Sequence, residues 1–276
     1  MRIRRGAYAA GEVWRELSPE GRHRLLLRAV LLRLGPLSAA SHHSAAVLHG
    51  LRLHGVALAV VHVTHPTGHG SARREGGVQH HQAQLPDEDV VRTAGLRTTS
   101  PLRSALDLAR LVAHPTGVCA IDGVLAGGVA RSDLLAQHVR TLDWPGSRAA
   151  GRALAEADGG SESVGETLQR LELAAVGWKP EVLQHPIRTE LGTVRTDFAW
   201  PQRRLAGEFD GRVKYERLLR PGESASDVVV RERRRELAIE RAGWCVVRFT
   251  WSGLHDREAL RRQMADAARR AERYAS

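Results

Sequence analysis

Acidic residues recur in two neighbouring segments that have the pattern of paired β-strands. Residues 195–200 have the sequence RTDFAW, and residues 205–211 have the sequence LAGEFDG after a PQRR turn. Because side chains alternate between the two faces of a strand, Glu208 and Asp210 are expected to point to one face. Asp197 lies near the end of the first segment. The pattern therefore predicts that three carboxylates converge at one place on a sheet.

Carboxylates brought this close need a compensating charge. They repel one another and take up protons unless a cation neutralises them, and oxygen-rich sites suit hard divalent ions. We predict that Asp197, Glu208 and Asp210 bind Mg²⁺ (or Mn²⁺), which can activate water against a phosphodiester. Ordinary turn chemistry, with Asp210 and Gly211 as a hairpin signal, is the alternative, but it does not require Asp197.

The charge of the chain favours a polyanionic partner. Among 276 residues, Lys and Arg number 41 and Asp and Glu number 31, so the formal net charge is +10. A GC-rich genome would explain why most of these cations are arginines, but not why cations exceed anions. Such an excess is the electrostatic signature of a nucleic-acid-binding protein, and we expect DNA as the partner.

Cysteine use and hydropathy narrow the class of protein further. The two cysteines, Cys119 and Cys245, lie far apart in apolar contexts, which supports neither a disulfide framework nor a cysteine zinc site. The sequence has no signal-peptide pattern and no apolar run near the ~20 residues of a membrane span. We therefore expect a cytoplasmic protein that does not enter a membrane.

A short glycine-rich segment divides the chain near residue 158. The sequence DGGS at residues 158–161 follows a short alanine-rich helical segment. We predict two domains, residues 1–157 and 158–276, each long enough to bury a core. The expected fold class is α/β (α+β), with a mainly helical first domain and a mixed sheet in the second.

The first domain shows helical apolar spacing in several segments. The predicted elements are a short strand within residues 1–10, helices within 19–34 and 38–51, a strand over 56–64 and short strands with loops over 78–96. Ser100 suits an N-cap and Pro101 the first helical position, so a helix is expected to begin there. Its predicted buried stripe comprises Leu102, Ala105, Leu106, Leu108, Ala109 and Leu111.

The second domain has the predicted element order α-β-β-β-α-β-α. The elements are a helix over 161–175, strands near 181–189, 193–199 and 203–209, a helix over 227–242, a strand over 244–250 and a helix from 255 to about 274. A mixed sheet flanked by helices follows from this order.

Four motifs in the second domain carry a family resemblance. They are VRTDFAWP at 194–201, EFDGRVKY at 208–215, RRREL at 233–237 and AGWCVVRF at 242–249. Over residues 158–276 the chain resembles the PD-(D/E)XK superfamily, in the branch related to very-short-patch-repair endonucleases. The resemblance implies a restriction-endonuclease-like fold that hydrolyses DNA phosphodiester bonds with a divalent metal ion, in repair or defence.

The same resemblance implies roles for individual acids. Asp197 takes the place of the metal-binding aspartate, and Glu208 takes that of the first acid of the D/E-X-K strand. Glu162, on the helix predicted to open the domain, takes that of the helical acid, with Glu166 one turn further on as the alternative. Where the superfamily has a lysine, this chain has Asp210.

Basic residues near these acids have two interpretations. Lys214 is placed to assist catalysis by stabilising charge, or it is a plain surface lysine. The resemblance places Arg212, Arg233, Arg234 and Arg248 where they would neutralise phosphates. The run of charges over 231–236 could equally be a solvated helix face with internal ion pairs.

The first domain carries a second, less specific resemblance. Its motifs are RRGAY at 4–8, SHHSAAVLHGL at 41–51, TTSP at 98–101 and ALDLAR at 105–110. They resemble the AbiEi family of type IV toxin-antitoxin regulators, in which a winged-helix DNA-binding domain precedes such a region. Residues 2–8 resemble only the wing, so the resemblance implies a partial winged helix within residues 1–10. It also implies a toxin partner or a homodimer.

Two functions from different classes follow from these resemblances. One is a metal-dependent DNA endonuclease with Asp197, Glu208, Asp210, Lys214 and Glu162 at its centre. The other is a non-catalytic DNA-binding transcriptional regulator or antitoxin whose nuclease-like domain serves as a binding platform. The same chemistry would also allow an RNA substrate.

Histidines are concentrated in one part of the first domain. Nine of the 14 lie between His42 and His81, a density that suggests a metal site. Their positions have a simpler assignment: His42 and His43 to a helix start, His62 to a strand, and His80 and His81 to a loop. On this assignment we expect no histidine metal site.

Overall fold

The structure of this chain, a computed structural model, describes residues 1–66, 73–211 and 225–275. Helices and mixed sheets make up these residues, so the predicted α/β (α+β) class is confirmed. Contacts within the chain define unit 1, Met1–Gly159, and unit 2, Gly160–Ser276. None of the described helices is both long and apolar enough to cross a membrane.

Unit 1 contains more helical than strand residues. The helices in its described part are α1 (Gly11–Glu16), α2 (Pro19–Leu31), α3 (His42–His49), α4 (Pro101–Ala109), α5 (His114–Ala126), α6 (Arg131–Val139) and α7 (Ser147–Glu156). Helix α4 begins as predicted, because the Ser100 hydroxyl accepts a hydrogen bond from the Arg103 amide at 3.3 Å and Pro101 follows.

A sheet of six described strands accompanies these helices. The strands of unit 1 are β1 (Arg2–Arg4), β2 (Ala7–Tyr8), β3 (Ala39–Ala40), β4 (Val61–His65), β5 (Arg73–Glu75), β6 (Val78–Gln82), β7 (Val90–Thr93) and β8 (Leu96–Thr99). The order in the sheet is β5-β6-β4-β3-β8-β7, with β4 parallel to β6 and β3 parallel to β8. Strands β1 and β2 form a separate antiparallel pair.

Several predicted elements of unit 1 were wrong in detail. Residues 1–10 form a hairpin rather than one strand, because Gly6 turns the chain with a φ of +74°. The segment predicted as a helix over 38–51 begins with strand β3, and the helix begins only at His42. His80 and His81, predicted to lie in a loop, belong to β6 because β4 and β5 supply its hydrogen-bonding partners.

The side chains of α4 that are buried also differ from those of its predicted apolar stripe. Leu106 and Leu108 are buried as expected, but Leu111 is 50% exposed. Arg103 and Asp107 are fully buried in the same helix. A charged pair on a buried face has no apolar signature, so hydrophobic spacing alone could not identify it.

Unit 2 has the predicted order of elements. They are α8 (Val164–Ala175), β9 (Val182–Thr189), β10 (Gly192–Trp200), β11 (Leu205–Asp210), α9 (Ala225–Arg241), β12 (Cys245–Thr250) and α10 (Arg257–Ala275). Strands follow the order β12-β11-β10-β9, with β11 and β12 parallel and the other pairs antiparallel. The predicted mixed sheet is therefore confirmed.

Helices cover both faces of the four-stranded sheet in unit 2. Phe198 and Phe209 pack on one face with Leu173 of α8 and Met264 of α10. The strand residues that point to the opposite face, such as Ala199, pack with Ile239 of α9. The alternation of side chains along each strand thus explains the three layers.

Candidate functional site

The predicted acidic residues lie on two adjacent strands of unit 2. Asp197 is on β10, and Glu208 and Asp210 are on β11. Antiparallel pairing places Phe198 opposite Gly207, which brings Asp197 alongside Glu208. The Phe209 amide donates to Asp197 Oδ2 at 2.8 Å. The structure therefore brings Asp197 and Glu208 next to each other, with Asp210 two residues further along β11.

Glu208 is buried, and the pKa of its carboxyl group is shifted. Burial raises the pKa of its carboxyl group, and the charges of Asp197 and Glu232 act in the same direction. The guanidinium groups of Arg235 and Arg248 oppose this shift. The net result is a carboxyl group that holds its proton more tightly than an exposed glutamate.

Among the described residues, Arg235 is the cation nearest to Glu208. Its Nη1 atom lies 2.6 Å from Glu208 Oε1, close enough for an ion pair but without the alignment of a hydrogen bond. Sequence analysis missed Arg235, although the residue lies inside the predicted run of charges. The run shows that α9 is basic, but only packing decides which arginine reaches the sheet.

Arg248 lies among carboxylates. Its Nη1 atom donates to both oxygens of Asp210 at 3.1 and 3.0 Å, and its Nε atom donates to Glu236 at 2.9 Å. Its Nη2 atom lies 3.7 Å from Glu208 Oε2. Burial lowers the pKa of Arg248, but the Asp210, Glu208 and Glu236 interactions outweigh it and leave the pKa above its ordinary value.

The predicted phosphate-binding role of Arg248 stays a prediction. Its Nε and Nη1 atoms donate to two carboxylates, whereas its Nη2 atom lies 3.7 Å from Glu208, beyond hydrogen-bond distance. Arg248 is also a central counter-charge of the acids. We name the set Asp197, Glu208, Asp210, Arg235 and Arg248 the acidic cluster.

A divalent ion does not fit the acidic cluster in this arrangement. Guanidinium groups already neutralise Glu208 and Asp210 at ion-pair distance. Among the residues that the structure describes, the three acids are also not close enough for their ligand oxygens to lie within 4.8 Å of one another. Binding of Mg²⁺ would require Arg235 or Arg248 to move away.

Glu162 does not lie on the helix that opens unit 2. Helix α8 begins at Val164, with Ser163 as its N-cap, so the predicted start at residue 161 was wrong. The Glu162 carboxylate pairs with the guanidinium of Arg195, and both side chains are more than half exposed. The helix starts later because the Ser163 hydroxyl accepts a hydrogen bond from the Glu166 amide.

Glu166 occupies the position near Asp197 that was predicted for Glu162. Its carboxylate accepts hydrogen bonds from the Ser163 hydroxyl at 2.8 Å and the Glu162 amide at 2.6 Å. This is a variant of the capping box in which the bound amide is that of the residue before the N-cap. Gln184 Nε2 lies 3.2 Å from Glu166 Oε2 and 3.5 Å from Asp197 Oδ1. Strand pairing places Gln184 opposite Asp197, a contact that no sequence motif indicated.

The other predicted basic residues have different environments. Arg233 is exposed and pairs with Glu236 at 2.6 Å. Arg234 is exposed and forms no ion pair with any residue that the structure describes. The predicted residues Arg212 and Lys214 lie outside the described part of the chain.

Comparison with known families supports one of the two resemblances. Residues 29–155 match the family model described as the AbiEi antitoxin C-terminal domain. The match lies within unit 1. The resemblance of unit 2 to PD-(D/E)XK endonucleases stays a prediction.

Curated relatives cover part of the chain. The uncharacterized proteins MT2308 and Rv2248 of Mycobacterium tuberculosis are each 31% identical to it over 158 residues. The alignment covers 56% of this chain and 55% of each relative, so the chain spans about half the length of these relatives. No solved structure matches this chain. Residues 29–155 are therefore similar to the C-terminal domain of AbiEi antitoxins.

Proposed function

We propose that this chain is a non-catalytic DNA-binding regulator or antitoxin of a type IV toxin-antitoxin-like system. The observation that carries the proposal is the match of residues 29–155 to the AbiEi antitoxin C-terminal domain. The net charge of +10 supports a polyanionic partner, because cationic surfaces attract nucleic acids through counterion release. The proposed protein partner is a toxin or a second copy of the chain.

The charge balance of the acidic cluster supports a binding role for unit 2. Arg235 and Arg248 compensate Glu208 and Asp210 within the fold, so these acids do not repel a nucleic-acid backbone as a free cluster would. The exposed arginines Arg233 and Arg234 lie on the same helix as Arg235. We propose that this part of α9 contacts DNA phosphates.

Fluorescence anisotropy with a labelled DNA duplex tests the proposal. The double variant Arg233→Gln and Arg234→Gln is expected to weaken binding by roughly tenfold, because two phosphate contacts are lost. The matched control is Arg262→Gln with Arg269→Gln, which removes the same charge from exposed arginines of α10. If both double variants lose the same affinity for DNA, α9 has no specific role in DNA binding.

A metal-dependent nuclease is a second candidate function. Its specific support is the contiguous set of Glu166, Gln184 and Asp197 beside Glu208. In addition, the buried Glu208 Oε1 atom accepts no hydrogen bond from the described residues. Mg²⁺ or Mn²⁺ would act here only after Arg235 or Arg248 had withdrawn.

Incubation with supercoiled plasmid and single-stranded DNA separates the two candidates. Purified protein is compared in Mg²⁺, Mn²⁺ and EDTA beside Asp197→Asn, which keeps an acceptor for the Phe209 amide. Asp143→Asn, an exposed aspartate of unit 1, is the control. The regulator is expected to bind without cleaving. Metal-dependent nicking that is lost only in Asp197→Asn would establish the nuclease.

A further inference from the structure

Three histidines from distant parts of unit 1 meet in its interior. His42 is the first residue of α3, His62 is on β4, and His81 is on β6. One ring nitrogen of each lies within 4.8 Å of the others. In the described ranges this is the one such group of three or more His, Cys, Asp or Glu side chains.

The fold explains why these histidines converge. Parallel pairing places His62 opposite Gln79 and Thr64 opposite His81. Because positions two apart on a strand share a face, His62 and His81 point to the same side of the sheet. The Ser41 amide donates to the His62 carbonyl at 3.1 Å, which holds His42 beside β4.

The spacing of the ring nitrogens suits a small metal ion. His62 Nδ1 and His81 Nε2 are 3.0 Å apart, a hydrogen-bond distance that is also near the separation of about 3.3 Å that two nitrogens have on tetrahedral Zn²⁺. The His42 and His81 rings stack with centroids 3.8 Å apart and an interplanar angle of 20°, so one of these two rings has to turn before both lone pairs point at one ion. His42 Nδ1 lies 3.0 Å from Ser41 Oγ. Donation to that oxygen would fix the tautomer and leave Nε2 for a metal, as is usual for histidine ligands.

The backbone at His42 is strained. Its φ is +49°, in the left-handed region that residues with a side chain seldom adopt. Such conformations persist where the surrounding structure holds them, and they cluster at binding and active sites. Here the conformation turns the His42 ring towards β4 and β6.

Two buried polar atoms beside the histidines lack partners. The Thr64 hydroxyl and His43 Nδ1 form no hydrogen bond with any described residue. Thr64 is the register partner of His81, and the His43 ring lies 4.2 Å from that of His62. Since buried polar groups are nearly always satisfied, an ion with its bound water would account for both.

One positive charge lies near the histidines. Arg110 acts electrostatically on His42 and His81, and its charge opposes a bound cation. Asp107 offsets part of this charge, because Arg110 Nη1 donates to Asp107 Oδ1 at 2.8 Å.

We infer that His42, His62 and His81 form a binding site for a divalent transition-metal ion of the Zn²⁺ type. Imidazole nitrogens suit Zn²⁺ and its neighbours in the transition series. Three protein ligands leave the fourth tetrahedral position to water. The site is independent of the DNA-binding function proposed above.

Titration of chelator-treated, full-length protein with Co²⁺ tests the inference, because tetrahedral Co²⁺ gains strong visible absorption. We expect saturation at one ion per chain and competition by Zn²⁺. His62→Gln and His81→Gln are expected to weaken binding by about 100-fold or more, since each removes one of three ligands. His65→Gln, on the opposite face of β4, and His114→Gln, which replaces a partly exposed histidine of α5, are the controls.

Nuclear magnetic resonance of the wild-type imidazole nitrogens provides a second measurement that does not depend on the folding of variants. Zn²⁺ is expected to shift the ring nitrogens of His42, His62 and His81 together. The inference is overturned if Co²⁺ or Zn²⁺ binds no better to the wild type than to His62→Gln. It is equally overturned if the control variants lose binding to the same extent, or if other histidines shift instead.

Discussion

At the scale of the residue, Arg103 is a charged side chain buried inside unit 1. It is 2% exposed, and its guanidinium lies 2.6 Å from Asp89 and 2.8 Å from Asp107. Its guanidinium carbon lies 4.5 Å from the centre of the Trp144 ring. Burial raises the pKa of Asp107, and Arg103 and Arg110 oppose the shift. Arg103 is thus the buried counter-charge that both aspartates share.

Removal of Arg103 is expected to destabilise the protein strongly. Arg103→Leu should lower the free energy of unfolding by about 3–5 kcal/mol, because two buried carboxylates lose their partner. Urea unfolding followed by circular dichroism measures the loss. Arg140→Leu is the control, since Arg140 also contacts Asp89 but is 44% exposed. If both variants lose only a small and similar amount of the free energy of unfolding, the buried ion pairs contribute little to stability.

His23 makes the stability of unit 1 dependent on pH. Its Nδ1 atom lies 2.7 Å from the Leu58 carbonyl, so this nitrogen carries the proton, and Nε2 lies 2.9 Å from Ser44 Oγ. Burial lowers the pKa of His23, and the bond to Leu58 only partly offsets this. The unfolded chain therefore takes up the proton at a higher pH than the folded chain.

Acid should accordingly reduce stability through His23. As pH falls below about 6.5, the free energy of unfolding is expected to decrease by up to ~1.4 kcal/mol per pH unit for this group. His23→Gln keeps a donor and an acceptor but does not titrate, so its stability should fall less steeply between pH 7 and pH 5. Urea unfolding at several pH values gives both slopes. Parallel slopes for the variant and the wild type would contradict the expectation.

At the scale of the element, helix α8 packs closely on β11. A methyl group at Gly165 would lie 2.1 Å from Cε1 of Phe209. Ser163 and Glu166 form the capping box at the start of the same helix. The buried Glu166 thus has a structural role whether or not the acidic cluster ever binds a metal.

Gly165→Ala tests the closeness of this contact. The substitution should lower the free energy of unfolding by about 1–3 kcal/mol, because Phe209 or the helix must move. Gly11→Ala, at a helical position where the added methyl meets nothing within 4 Å, is the control. Thermal unfolding of both variants checks the difference. If Gly165→Ala is as stable as the control, the helix and strand are packed more loosely than described.

At the scale of the whole molecule, the excess of positive charge underlies the proposed association with DNA. The net charge is +10, and each phosphate that the protein neutralises releases counterions from DNA. The affinity for DNA should therefore depend on the salt concentration, whatever the base sequence of the DNA. An uncharged partner would show no such dependence.

The salt dependence of DNA binding can be measured directly. The logarithm of the affinity is expected to fall linearly with the logarithm of salt concentration, with a slope of about −0.9 for each phosphate contacted. The Arg233→Gln and Arg234→Gln double variant should reduce the slope by about 2. Anisotropy titrations at several salt concentrations provide the slopes. A flat dependence for the wild type would exclude an electrostatic DNA interface.

The sequence by itself determined the kinds and order of elements in unit 2, as well as the start of α4. Apolar alternation, helical spacing and the Ser100 cap are local properties, so they act between residues close in the chain. The common face of Glu208 and Asp210 also followed from strand alternation, whereas the pairing of β10 with β11 set Asp197 beside Glu208. The resemblance of the first domain, residues 1–157, to AbiEi proteins rested on motifs that the sequence contains directly.

Only the tertiary structure decided which side chains neutralise or meet one another. Arg235 reaches Glu208, Glu166 takes the place expected for Glu162, and three histidines gather from one helix and two strands. The strand β6 shows the reason most clearly. Its polar sequence has no apolar alternation, and its conformation depends on β4 and β5. Contacts between residues distant in the chain arise from packing and pairing, which local patterns do not encode.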